Sequence, residues 1–67
     1  LNKGFFELLA WYRIEEAKKI ISDDHGSKLT VEEISEMVGY NSKTAFNNAF
    51  KKLIGKTPSE FRKSVSN

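Results

Sequence analysis

The sequence predicts an all-α domain of about four helices, and three observations carry that prediction. Apolar residues recur three and four apart through segments 5–21, 30–38, 43–54 and 57–65, the period of a helix and not of a strand. Thr-x-x-Glu pairs, Thr30 with Glu33 and Thr57 with Glu60, head two of those segments, where each residue can bond the other's free backbone N–H in a capping box. Gly39 and Gly55 close segments, and Pro58 opens one.

Size and composition narrow the field. A chain of 67 residues is one small domain with one core, able to bury only about 60% of its unfolded surface. It has no cysteine, hence no disulfide framework or thiolate metal site, which suits a reducing intracellular compartment. No apolar run approaches the ~18 residues of a membrane span. The start also lacks the basic region, apolar stretch and small-residue cleavage site of a signal peptide. The chain as given is therefore expected to be soluble.

Residues 5–21, FFELLAWYRIEEAKKII, form the longest predicted helix, rich in Leu, Ala, Glu and Lys with no Pro or Gly inside. Phe6, Leu9, Ala10, Arg13, Ile14, Ala17, Ile20 and Ile21 share one stripe along it, which should pack on the helices that follow. Glu15 and Lys19 are placed to pair outside it at i, i+4. In its first half, Phe5, Leu8, Trp11 and Tyr12 occupy the face taken in the second half by Glu15, Lys18, Lys19 and Ser22. A helix end that is apolar on most sides calls for a cover that 67 residues do not supply. Arg13, inside the stripe, can snorkel to the edge, pair with a carboxylate of the acidic segment, or reach a phosphate; the structural roles rank first.

The polar run SDDHGSK, residues 22–28, reads as a loop. Its His25 is the only histidine, with no cysteine or second histidine to join it, and reads as solvent-exposed rather than as a ligand or base. No catalytic set, cofactor site or metal site follows from the sequence. Gly55-Lys56-Thr57 matches the end of a phosphate-binding loop, but that motif needs a glycine where Phe50 stands.

From Thr30 to Lys52 two short helices follow with a tight turn between them, a helix-turn-helix. Val31, Ile34, Ser35 and Val38 share one face of the first, with Glu32, Glu33 and Glu36 turned away. Gly39 stops it, Asn41 and Ser42 supply turn and cap chemistry, and the second helix should start near Lys43. On that helix Ala45, Phe46, Ala49, Phe50 and Leu53 fall on one side. Thr44, Asn47, Asn48, Lys51 and Lys52 are left on the other, a face of amide, hydroxyl and cation without a carboxylate. That combination suits a polyanion with base edges to read; the solvated face of an ordinary small helical domain is the plainer alternative. Thr57 then caps a last short helix, in which Phe61 and Val65 should close the core while Arg62 and Lys63 stay outside. Ser66 and Asn67 are expected to fray.

The net charge of +2 is unevenly spread. Residues 1–21 carry +1 and residues 22–41 carry −4, whereas residues 42–67 hold six basic groups against Glu60, giving +5. A basic C-terminal third that begins at the second helix of the motif is the footprint of a nucleic-acid binder.

With these pieces placed, the chain resembles the DNA-binding domain of the AraC/XylS family of bacterial transcription regulators, from about Phe5 to Lys63. The likeness rests on RIEEAKKII in the long helix, LTVEEISEMVGY through the first helix of the motif, FNNAFKKLIGKTP through the second, and SEFRK at the end, in matching order and spacing. That domain has two helix-turn-helix units joined by a linker helix. The resemblance therefore implies that residues 1–67 are one domain fragment of homeodomain-like fold. Residues 5–22 would be the linker helix, and residues 29–64 the second unit with its closing helix. The first unit would lie upstream, so the chain is expected to be a piece of a longer regulator. It implies no enzyme and a cytoplasmic, DNA-binding part, whose parent could still be anchored in a membrane.

Residues 43–54 would be the recognition helix in the major groove of double-stranded DNA. Lys43, Thr44, Asn47 and Asn48 would face base edges, and Ser42, Lys51, Lys52, Lys56 and Arg62 would face phosphates. Many members carry Arg where this chain has Asn48, which implies weaker binding by this half and a preference moved from guanine toward adenine. Two further expectations stand beside these. The aromatic face of Phe5, Leu8, Trp11 and Tyr12 would let the fragment form a homodimer. A helical protein-interaction module of the same shape is the alternative function.

Overall fold

The computed structural model describes residues 4–26 and 28–65. Its helices are α1 (Phe5–Asp23), α2 (Val31–Met37), α3 (Lys43–Ile54) and α4 (Pro58–Val65), with no strand among the described residues. This is the all-α order expected from periodicity, with α1 running slightly further than the apolar pattern indicates. Ser66 and Asn67 lie outside the described residues.

Each helix begins where a side chain satisfies its free amides. Glu7 Oε1 accepts the Gly4 N–H at 2.7 Å ahead of α1. At α2 the capping box is complete: Thr30 Oγ1 accepts from the Glu33 N–H at 3.0 Å, and Glu33 Oε1 from the Thr30 N–H at 2.8 Å. The α4 box repeats it with Thr57 and Glu60 at 2.9 and 3.2 Å. Pro58 sits at the first helical position, where its missing N–H costs nothing. At the far end of α3, Gly55 takes φ 89°, the left-handed conformation that lets its N–H return to Lys51 O at 2.8 Å.

Helix α1 is the spine against which the other three pack. Its buried side chains Ile14, Ala17 and Ile21 meet Ile34 and Val38 from α2 and its C-terminal turn, and Phe46 and Phe50 from α3. Four aromatic rings run through this core in sequence: Tyr40 to Phe46 at 5.7 Å, Phe46 to Phe50 at 5.7 Å, and Phe50 to Phe61 at 5.6 Å. Phe46 and Phe50 are fully buried. Truncating either to Ala costs about 3–5 kcal/mol, a large share of what a domain this small holds at about 0.05–0.15 kcal/mol per residue.

Several packing expectations are corrected. Phe6, placed in the buried stripe, is 81% exposed, because α1 enters the core only from Ile14 onward and Leu9 and Ala10 are half-buried at its margin. Ala45 is exposed too: the buried line of α3 runs through Phe46 and Phe50, and a methyl to one side of it is too short to reach inward. Leu53, on the same side as Phe46 and Phe50, lies at the rim because it faces the exposed first half of α1, beside Phe6 and Ala10. Val65, one turn past Phe61, is 42% exposed, so α4 reaches inward through buried Pro58 and through Phe61, which packs on the core. Lys18, not Lys19, pairs with Glu15, at 3.4 Å, a half-exposed contact worth little. Arg62, expected outside, turns inward.

Candidate nucleic-acid interface

The site is built by the turn that separates α2 from α3. After Met37 the chain curls back on itself: the Val38 N–H bonds Ile34 O at 3.1 Å, the Gly39 N–H bonds Glu36 O at 3.1 Å, and the Tyr40 N–H bonds Ser35 O at 2.9 Å. Gly39 makes this possible with φ 98°. Ser35, buried within α2, turns its hydroxyl back to Glu32 O at 2.7 Å, so its own oxygen is not left unpaired in the core. Ser42 then caps α3, its Oγ accepting the Ala45 N–H at 3.1 Å.

Because Phe46 and Phe50 anchor the inner side of α3, the outer side is fixed. Lys43, Thr44, Ala45, Asn48, Lys51 and Lys52 are exposed, and Asn47 is half-buried on the flank. The fold thus gathers Lys43, Thr44, Asn48, Lys51 and Lys52 on the solvent side of one helix with Asn47 at the margin. Ser42 is exposed just ahead of them, but its oxygen already accepts the cap bond, so it meets an anion only as a hydroxyl donor. Lys56 is exposed beyond Gly55.

The acidic residues lie elsewhere, with one exception. Glu32, Glu33 and Glu36 are exposed on α2. Glu60, at the head of α4, has its carboxyl held below the usual 4.5. The bond from the Thr57 backbone N–H is the main cause; burial opposes it slightly, and the Thr57 hydroxyl and the charges of Lys51 and Lys56 assist. A carboxylate that close to two lysines mutes part of their charge.

Arg62 is the member of the expected set that the fold places apart. Its guanidinium donates to Leu29 O and stands 4.0 Å from Asp24 Oδ2, while that same carboxylate oxygen accepts the Leu29 N–H at 2.8 Å. Arg62 therefore fastens α4 to the loop after α1. Sequence reasoning also missed the exposure of Ala45, which sits beside Thr44 on the first turn of α3. Its signal was bearing: Ala45 lies about 100° around the helix from Phe46, to one side of the line through Phe46 and Phe50.

Among the described residues no group of His, Cys, Asp and Glu is placed to hold a metal ion, and no helix is long and apolar enough to cross a membrane. His25 is exposed in its loop, as expected.

Comparison with known proteins gives these features a context. A family model described as a helix-turn-helix domain matches residues 1–64. The Msm operon regulatory protein of Streptococcus mutans is 50% identical over 66 residues, covering 98% of this chain and 23% of that protein. The raffinose operon transcriptional regulatory protein of Pediococcus pentosaceus is 41% identical over 59 residues, covering 88% of this chain and 20% of that protein. The chain thus spans a quarter or less of the length of these curated relatives. No solved structure gives a significant match.

Proposed function

Because the chain belongs to the AraC-type family of helix-turn-helix transcription regulators and is a DNA-binding part of such a regulator, we propose that α3 enters the major groove and reads it through one face. The observation that carries this is the carboxylate-free outer side of α3. Lys43, Thr44 and Asn48, with Asn47 from the flank, take base edges: Asn bonds an adenine edge, Thr a thymine, and Lys a guanine. Lys51, Lys52 and Lys56 take phosphates, with the Ser42 hydroxyl as a further donor. Arg62 acts on this surface from behind, by holding α4 in place. The family is one of regulators, and no reaction is proposed for the chain; its DNA partner puts this part in the cytoplasm.

In this reading residues 5–22 are the linker helix, and residues 29–64 are the second of two units. The exposed aromatic face of α1 is then the seat of the first unit in a longer chain. In a solution of these 67 residues alone a second copy takes that seat through Phe5, Leu8, Trp11 and Tyr12, since symmetric pairing is the commonest outcome for one chain type.

Competition binding with matched and scrambled duplexes tests the reading. One recognition helix offers few base contacts, so the monomer should bind at about 10⁻⁴ to 10⁻⁶ M at physiological salt, with affinity falling as salt rises by a slope of about −0.9 per phosphate contact. Asn48→Ala should relax base preference, and Lys52→Ala should weaken all duplexes alike. Equal losses of matched and scrambled binding in both variants would remove Asn48 from the readout. Absence of binding to any duplex at low salt would favour a protein-interaction module instead.

A further inference from the structure

Helix α1 touches the α2–α3 turn through a contact at the margin of the core, away from the proposed DNA face. Arg13 is half-buried in α1, and its guanidinium carbon stands 5.4 Å from the centroid of the Tyr40 ring. That ring lies 5.7 Å from Phe46, the first buried residue of α3, at an interplanar angle of 57°. Between them, Gly39 has no side chain, and a Cβ there would come within 3.1 Å of Arg13 Nε. The guanidinium thus occupies the space that any other residue at the turn would claim.

The Tyr40 ring has no side-chain hydrogen bond to hold it: its hydroxyl oxygen is buried without a partner among the described residues. Burial pushes the phenol above its usual 10.0, with the Arg13 charge acting in the opposite sense. The ring therefore stays neutral at ordinary pH and presents its face to the cation. A cation over an aromatic face is attracted by the ring's quadrupole, more strongly when both are shielded from water. Arg13 has a flat, weakly hydrated group suited to such a site, and it stands on a helix that packs against all three others.

We propose that Arg13 is a positioning residue: stacked on Tyr40, it sets the α2–α3 turn against α1 and, through Phe46, the angle at which α3 presents Lys43, Thr44 and Asn48. The consequence for binding rests on the DNA-reading role proposed above, whereas the geometry does not. A change in α1 reaches the reading face by this route without passing through the buried aliphatic residues.

Nuclear magnetic resonance of the whole chain tests the geometry without DNA. The side-chain protons of Arg13 should be shifted upfield by the Tyr40 ring; random-coil values in a chain whose core resonances are folded would overturn the proposal. Arg13→Met keeps an apolar stem of similar length without the charge, and Arg13→Lys keeps the cation. Residual dipolar couplings should show α3 reoriented relative to α1 in the Met variant and restored in the Lys variant. The same α3 orientation in the Met variant as in the wild type would leave Arg13 a packing residue only. Should the Met variant fail to fold, the wild-type ring-current shift and the Lys and Tyr40→Phe variants, both of which keep cation and ring, decide alone.

Binding to a mixed-sequence duplex adds the second arm. Arg13→Met should weaken it about two- to thirtyfold, the size of a cation–π contact, and should add nothing in a Tyr40→Leu background. A loss that persists in that background, with the salt slope reduced by about 0.9, would make Arg13 a direct phosphate contact and overturn the proposal. If no variant and no wild type binds the duplex, the DNA reading fails while the couplings still decide the role of Arg13.

Discussion

Replacing Arg62 with Met separates two roles that the sequence alone left joined, because a phosphate contact and a strut fail in different ways. Arg62 donates to Leu29 O, and a hydrogen bond from a charged donor contributes about 1.5–3 kcal/mol. Its loss also leaves the Asp24 carboxylate, only 8% exposed, with the Leu29 N–H as its one hydrogen-bond partner among the described residues. Breaking a fully buried ion pair costs about 3–5 kcal/mol. Here the arginine is 19% exposed and the carboxylate 4.0 Å away, so a lower figure applies. A loss of about 2–3 kcal/mol is expected, with the stem of Met retaining the packing. For a domain of this size that lowers the midpoint of thermal unfolding, followed by circular dichroism, by about 8–24 °C. DNA binding by the folded variant should keep the salt slope of the parent. An unchanged midpoint with a slope reduced by about 0.9 would refute the strut and return Arg62 to the phosphates. An Asp24→Asn, Arg62→Met double-mutant cycle should be non-additive, since the two side chains share Leu29 as a partner.

Trp11→Ser should abolish self-association of the fragment in sedimentation equilibrium at tens of micromolar, since Trp11 lies 41% exposed within the aromatic face of α1; a wild-type chain that stays monomeric, with Trp11 fluorescence typical of water, would sink that pairing. The Glu60 carboxyl titrates below 4.5 in the folded chain, so its contribution to α4 is fully present above that pH and is lost as pH falls through the folded value. An acid titration of helicity should accordingly show a step below pH 4.5 that Glu60→Gln removes, and a step equally large in the Gln variant would assign the effect to other carboxylates.

The helices were legible because their signals are local. Thr30 with Glu33, Thr57 with Pro58 and Glu60, and the two glycines at 39 and 55 each act within one turn of chain, and each appears in the structure doing what its chemistry indicated. The inner side of α3 was legible through Phe46 and Phe50, which are too large to leave outside. Periodicity gave a direction but not a depth. It could not tell that Ala45 stops short of the core or that Val65 passes it, since both questions depend on where the neighbouring helix ends. Nor does spacing choose a partner for a long side chain. Arg62 reaches a carbonyl 33 residues back along the chain, and Arg13 chose the ring of Tyr40 over every carboxylate considered for it.

The helix starts differ in one respect that bears on how the free protein behaves. Glu7 stands in the first turn of α1, Glu32 and Glu33 in that of α2, and Glu60 in that of α4, so each of those helices neutralises the positive end of its own dipole. The first turn of α3 has no acidic residue, only the Ser42 hydroxyl, and Lys43 adds a cation to it. The α3 start therefore carries about half an unopposed positive charge from its backbone, together with the amides of Lys43 and Thr44 that no helical carbonyl can reach. Three helices are electrically closed, and the fourth is left open toward its partner. Before binding, the opening turn of α3 should exchange its amide hydrogens fastest of the four helix starts. In the proposed reading, a DNA phosphate would supply the anion that this helix end lacks.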